Sequence, residues 1–205
     1  MGFYGEQILP RIFDRLCSCA SAAELRRRTC RGLEGRIVEI GFGSGLNIEH
    51  LPAAVESVVA VEPSETAWQL ATRRVERSVI PVRRVGLDAQ TIPLDDDSCD
   101  GALSTWTMCS IPDLELALAE VRRVLRPGGA LHFVEHGLAP DERVRRWQHR
   151  LNPVQQRLVG GCRLTRPITS LIRGAGFEIR EVEEFYQPGG PKFIGAESLG
   201  VAVSP

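Results

Sequence analysis

The sequence predicts an α/β fold, a parallel β-sheet with helices on both faces, and three observations carry that expectation. Strand-like runs alternate with segments of helical spacing along the chain. The early runs IVEI and SVVAVE are almost continuously apolar, as strands buried on both faces must be. A glycine-rich stretch, GFGSG at 41–45, directly follows the first of these runs, where an α/β sheet places its ligand.

The first 32 residues read as helical. Ile8, Leu9, Ile12, Phe13 and Leu16 form one apolar stripe, and Arg26, Arg27, Arg28 and Arg31 fall on a second short helix. The expectation is two amphipathic helices covering the sheet edge, with their arginines in solvent; the alternative is a lid carrying Tyr4 over a ligand, with a basic face near anionic lipid. Strands are expected at 36–40, 57–62, 82–87, 101–105, 130–135, 178–184 and 199–203. A helix is expected after the glycine loop. Another is expected at 64–77, where Ser64 caps the start and Ala67, Leu70, Ala71 and Val75 share a face. A third, at 113–125, points Leu114, Leu118, Val121, Val124 and Leu125 inward and Arg122 and Arg123 outward. Arg126-Pro127-Gly128-Gly129 ends it. No repeat or linker divides the 205 residues, so one domain is expected: a helical cap at 1–32, a ligand-binding core at 36–136, and a substrate wall with the last two strands at 137–205.

Composition excludes several classes. The chain has 25 basic and 26 acidic residues, without the positive excess of a general nucleic-acid binder. It contains no run of 18 apolar residues and no evident secretory signal, so a cytoplasmic location is expected. The six cysteines include no CxxC pair and no Cys/His spacing suited to zinc, so neither metal nor disulfide is expected. Cys99 and Cys109 read as core residues.

Gly41, Gly43 and Gly45 allow a sharp turn and a close approach of ligand to backbone. A dinucleotide fingerprint needs GxGxxG, and here the last glycine comes one place early. A Walker loop fails because no GK[ST] follows. Three acids sharpen the choice. Glu39 interrupts the apolar strand two residues before the first glycine; Glu62 ends the second strand, placed to accept from both ribose hydroxyls; Asp88 ends the third, placed to accept from an adenine amino group. Together they describe a site for a nucleoside without phosphate and with a positively charged tail.

The series VEIGFGSG, AVEPS, GLDAQTIPL, CDGALSTWTMCSIPD and EVRRVLRPGGALHFVEH resembles the class I S-adenosylmethionine-dependent methyltransferases, most closely the group called methyltransferase type 11. The resemblance covers 36–136 and implies a three-layer, Rossmann-like fold with a seven-stranded sheet in order 3-2-1-4-5-7-6, the seventh strand antiparallel. It implies S-adenosylmethionine as cofactor and S-adenosylhomocysteine as product. Gly41, Gly43 and Gly45 would wrap the methionine and ribose, with Glu39 and Asn47 beside the loop and Phe42 adding apolar wall. Glu62 would bind the ribose hydroxyls, Pro63 would lie against the adenine, and Asp88 and Ala89 would read its edge. Thr105 and Trp106 would lie beside the reacting sulfonium.

FVEHG and GGCRLTRPI resemble segments of animal methyltransferase-like enzymes that methylate alkyl thiols at membranes, whose N-terminal hydrophobic anchor is not seen here. The resemblance implies a small, rather apolar acceptor, with a thiol favoured over a quinone, phenol or lipid headgroup. A binder of S-adenosylmethionine that regulates a partner is a different class, and a NAD enzyme is disfavoured by GxGxG. Thiols are a few per cent ionised at neutral pH and need little help, whereas an amine or hydroxyl needs a base. The candidate base is His136 at the tip of the fifth strand, with Glu135 to orient it or ionise beside it; His132 reads as a packed strand residue. Tyr4, Trp147, Asn152, Cys162, Thr165 and Arg166 are the candidate substrate wall, and Arg143, Arg145, Arg146 and Arg150 a solvated helix face.

Overall fold

A computed structural model describes residues 3–205. Seven strands form one sheet: β1 (Gly35–Ile40), β2 (Val55–Val61), β3 (Val82–Gly86), β4 (Cys99–Thr105), β5 (Leu125–His136), β6 (Glu178–Tyr186) and β7 (Ala196–Val203). Their order is β3-β2-β1-β4-β5-β7-β6. The β1, β2, β3, β4 and β5 pairings are parallel, and β7 runs antiparallel to both β5 and β6. This is the expected topology. Strand order reverses between β1 and β4, which opens a crevice beyond their carboxyl ends, the place where such sheets bind ligands.

The helices are α1 (Leu9–Leu16), α2 (Ala20–Cys30), α3 (Glu65–Arg77), α4 (Leu114–Val124), α5 (Glu142–Leu158) and α6 (Ile168–Gly174). Ser64 caps α3 by accepting from the Ala67 N–H, and Asp113 caps α4 by accepting from the Leu116 N–H. Leu114, Ala117, Leu118, Val121 and Val124 of α4 are buried against Leu131, Phe133 and Ile172 in one core cluster. A second cluster joins Cys30, Ile37, Phe42, Val58 and Leu103, with Trp68 packed on it. Charged β6, EIREVEEFY, is largely exposed, and its charges discourage pairing with another chain at that sheet edge.

Four expectations need correction. No α-helix follows the glycine loop; a single 3₁₀ turn, Ile48–His50, stands there, because the Asn47 side chain bonds Glu39 instead of capping a helix. Residues 126–129 do not simply end α4: β5 starts at Leu125 opposite Cys99, the register slips, and pairing resumes at Gly101 and Ala130. Gly128 takes the turn at φ 84°. The N-terminal stripe does not seal the sheet edge. Within it only Leu9 is buried, while Ile12, Phe13 and Leu16 stay exposed on a helix held to α3 by the Arg74–Asp14 ion pair. Finally, Arg26 is not in solvent but is 7% exposed, whereas Arg27 pairs with Glu24 at the surface as expected. Among the described residues no helix is long and apolar enough to cross a membrane.

Candidate active site

The carboxyl ends of β1, β2 and β4, with α2 folded across them, bring the predicted cofactor residues together. Gly41, Gly43 and Gly45 all have positive φ (67°, 60° and 75°). At Gly41 any Cβ would lie 2.1 Å from Thr107 Oγ1, so glycine is required there for space as well as for conformation. The bend points the Gly43 N–H at Glu62, whose Oε2 accepts it at 2.6 Å while Oε1 accepts the Ser64 N–H at 2.7 Å. Burial pushes the Glu62 carboxyl up, and these two N–H bonds oppose that shift. Pro63 is exposed beside it.

Glu39 is buried, accepts from Asn47 Nδ2 through Oε1 at 2.7 Å, and leaves Oε2 without a partner. Burial pushes its carboxyl up to about 8. Arg26 reaches in from α2, donating through Nη1 to Asn47 Oδ1 and to Thr105 Oγ1, each at 2.8 Å. Its carbon Cζ lies 4.8 Å from the centre of the Trp106 ring. Its Nε is buried without an acceptor. A buried donor left unmet carries a desolvation cost of about 1–3 kcal/mol. Sequence inspection missed Arg26 because four arginines near one helix look alike; only the packing of α2 on β5 and the 3₁₀ turn selects one of them.

Phe42, expected to wall the cofactor, is instead a core side chain, 3% exposed and 5.5 Å from the Trp68 ring. Asp88 is exposed, its Oδ1 accepting from Gln90 N at 2.9 Å and Nε2 at 3.0 Å, and Ala89 is buried next to it. The Gln90 side chain is itself held by the Asp113 N–H, which donates to its Oε1 at 2.8 Å.

The residues expected on the acceptor side lie beyond β4 and β5. Trp106 holds a positive φ of 51°, unusual for a large side chain, and donates Nε1–H to Glu197 Oε1 at 3.2 Å. His136 Nε2 lies 3.5 Å from the same carboxylate oxygen. Glu197 comes from β7, 61 residues after His136, and no local pattern announced it; register pairs the two directly across the strands. The reactive atoms of Cys109, His136 and Cys162 lie within 4.8 Å of one another. A hydrogen bond from Cys109 lowers the Cys162 thiol, which its contact with His136 lowers further, and the Cys109 thiol is correspondingly held up. Burial alone would lower His136, but Cys162, Glu197 and Glu135 together raise it.

Glu135 does not orient His136. Its carboxylate is wholly buried and accepts from Ser104 Oγ at 2.7 Å, Thr107 N at 2.9 Å and Cys109 N at 3.3 Å, which fixes the turn carrying Trp106 and Cys109. Burial pushes it up to about 7. His132 is bonded through Nδ1 to the Thr29 carbonyl at 2.9 Å, a packed strand residue as expected.

Of the candidate wall, Cys162 reaches the cluster. Arg166 is buried and donates to the carbonyls of Met108 and Pro112, tying the loop before α6 to the turn after β4. Asn152 Oδ1 accepts from Leu164 N at 2.9 Å, a loop-pinning bond. Thr165 is half-buried in that loop. Tyr4 donates its hydroxyl to the Leu158 carbonyl at 3.2 Å and so latches the N-terminal segment to the end of α5. Trp147 is 54% exposed under Arg150, on the outer face of α5.

Among the described residues, the carboxylates of Glu39 and Glu62 and the unmet Nε of Arg26 stand around the glycine loop, an arrangement whose chemistry fits a nucleoside sulfonium. Comparison with known proteins agrees. Residues 38–133 match the family model described as a methyltransferase domain. The chain is 32% identical over 178 residues to rat (Rattus norvegicus) thiol S-methyltransferase TMT1B, covering 83% of this chain and 71% of that protein. It is 29% identical over 168 residues to a phthiotriol/phenolphthiotriol dimycocerosates methyltransferase of Mycobacterium tuberculosis, covering 81% and 61%. In three dimensions it superposes on a SAM-dependent methyltransferase of Thermotoga maritima with a TM-score of 0.71 at 24% identity, covering 100% of both chains.

Proposed function

Because the chain belongs to the class I S-adenosylmethionine-dependent methyltransferases, we propose that it transfers the methyl group to the sulfur of a small, rather apolar thiol. The cofactor, when bound, supplies a methyl group activated on a sulfonium. Glu62 takes the ribose hydroxyls, Asp88 and the Ala89 N–H take the adenine edge, and Pro63 lies on the purine. Arg26 takes the methionine carboxylate, while Asn47 links Arg26 to Glu39, which faces the amino group. The glycine loop lets the ligand lie against bare backbone.

For the transfer itself, alignment supplies most of the rate, since an in-line displacement needs the nucleophile and methyl carbon held in contact. Trp106 and Thr105 close the methyl end, and the buried surroundings exclude water from two opposite charges that neutralise each other. Glu135 acts as a positioning residue for that turn. His136, in contact with Glu197 and with Cys162, stands on the acceptor side.

One observation carries the thiol assignment: the likeness to a thiol S-methyltransferase spans 83% of the chain, too much to stop at the cofactor half. The site's chemistry supports it. Glu135 is bonded on both oxygens and His136 already faces a carboxylate and a thiol, which suits an acceptor that ionises readily. The likeness to the phthiotriol enzyme favours a hydroxyl acceptor as the second reading. The two are separated by incubating the protein and S-adenosylmethionine with matched alkyl thiols, phenols and aliphatic alcohols. Methyl thioether formation in step with adenosylhomocysteine is the expected result. Turnover confined to oxygen acceptors would reject the thiol assignment.

A further inference from the structure

Cys109, His136 and Cys162 come from three separate segments: the turn after β4, the tip of β5, and the loop between α5 and α6. No spacing in the sequence links them, yet each offers a ligand atom within 4.8 Å of the other two. We propose that these three residues hold a zinc ion, and that its fourth position is left open for the sulfur of the acceptor. The second half of this statement rests on the thiol assignment above; the first does not.

The distances suit the ion. Around a tetrahedral zinc with bonds of about 2.3 Å to sulfur, neighbouring ligand atoms stand roughly 3.8 Å apart, so closure needs at most about 1 Å of movement. Side-chain rotation supplies that, because the backbones are already pinned. The Cys109 N–H donates to Glu135, the Cys109 carbonyl accepts from Arg163 N at 2.9 Å, and the Cys162 N–H donates to the Val159 carbonyl at 2.9 Å. Two sulfurs and an imidazole form a donor set that selects zinc over hard cations.

The surroundings are those of a metal ligand set. A metal-binding histidine commonly gives its other ring nitrogen to a carboxylate, and His136 Nε2 stands 3.5 Å from Glu197 Oε1. Glu197 is itself fixed by Trp106 Nε1. Two thiolates balance the dication, while the buried Arg166 guanidinium, tied to the Met108 and Pro112 carbonyls, offsets the Glu135 carboxylate.

Three protein ligands with a fourth position free is the catalytic arrangement; structural zinc takes four. Among the described residues the cluster offers three. Both cysteines are buried at 2% and 3%, while the His136 side chain is 24% exposed and its ring centre lies 6.4 Å from that of Trp106, so the acceptor reaches the cluster past His136 and Trp106. An acceptor thiol binding there gives its proton to solvent as the sulfur joins the metal. Its sulfur then forms the new bond to the methyl carbon, and the old carbon–sulfur bond leaves its electron pair on the departing homocysteine sulfur. The neutral thioether is a weak ligand and departs.

The test uses full-length protein purified without a polyhistidine tag. Elemental analysis is expected to find about one zinc per chain, and cobalt(II) exchange to give a near-ultraviolet sulfur-to-cobalt band that Cys162→Ser and Cys109→Ser each diminish. Unchanged adenosylhomocysteine affinity in these variants shows that they fold. Adding an alkyl thiol should shift the visible cobalt bands. Protein that binds neither ion with both cysteines reduced, or that is isolated two hydrogens lighter with a Cys109–Cys162 disulfide, overturns the proposal. Full thiol turnover by chelated, metal-free protein overturns the open-site half and leaves the thiol assignment standing. Metal bound through these residues, with turnover only of oxygen acceptors, keeps the site and removes the thiol assignment.

Discussion

Replacing Arg26 with methionine, of similar length and no charge, should weaken cofactor binding while leaving the fold intact. In the structure the guanidinium spends Nη1 on Asn47 and Thr105 and keeps Nε without an acceptor. A hydrogen bond to a charged group is worth about 1.5–3 kcal/mol net, and each 1.4 kcal/mol is tenfold, so losing one such bond to the methionine carboxylate weakens binding by about 10- to 150-fold. Stability should also fall, by about 1–3 kcal/mol, because methionine leaves the buried Asn47 Oδ1 without its donor. Calorimetric titration with adenosylhomocysteine and with 5′-methylthioadenosine separates causes, because only the first carries the carboxylate. The first ligand should lose the stated factor and the second should bind as in the unaltered protein. Equal losses for both would mean that the site had collapsed, and no loss for either would remove Arg26 from the carboxylate.

Glu62→Gln should cost adenosylhomocysteine about 10- to 100-fold in affinity, since one oxygen that accepts from both backbone and ribose becomes a donor; titration at constant pH measures it, and full affinity would contradict its ribose role. Glu39 should make stability fall as pH rises from about 4.5 to about 8, because its carboxyl is raised in the folded protein and the folded state binds the extra proton across that window. Melting curves across pH 5–8 should therefore slope downward in the cofactor-free protein and less steeply in Glu39→Gln, where Glu135, raised to about 7, keeps part of the slope; parallel slopes would show that Glu39 does not contribute. Gly41→Ala should lower the melting temperature by several degrees, given a φ of 67° and a Cβ 2.1 Å from Thr107 Oγ1. An alanine variant as stable as the parent would mean that the loop adjusts freely.

How much was legible in advance differed by the kind of signal. The sheet was readable because burial on both faces leaves apolar runs, and the ligand class because Gly41, Gly43, Gly45, Glu62 and Asp88 act through short, local geometry. The start of β5 was misjudged because Arg126-Pro127-Gly128-Gly129 forms a slip in register, which depends on a partner strand. Phe42 was misassigned because a loop residue beside a ligand can turn its ring either way, and only the position of Trp68 settles it.

By itself, then, the order of residues determined the alternating architecture, the bend after β1, and the acids at the tips of β2 and β3, since each is encoded within a few neighbouring positions. Only the folded chain decided that Arg26, alone among the arginines of its helix, is buried, that Glu135 braces a turn instead of serving His136, and that Cys109, His136, Cys162 and Glu197 meet. Those contacts join distant segments: Arg26 and Thr105 are 79 residues apart, and Trp106 and Glu197 are 91. At such separations no periodicity survives, and which side chains converge is set by strand order, register and the packing of helices across the sheet.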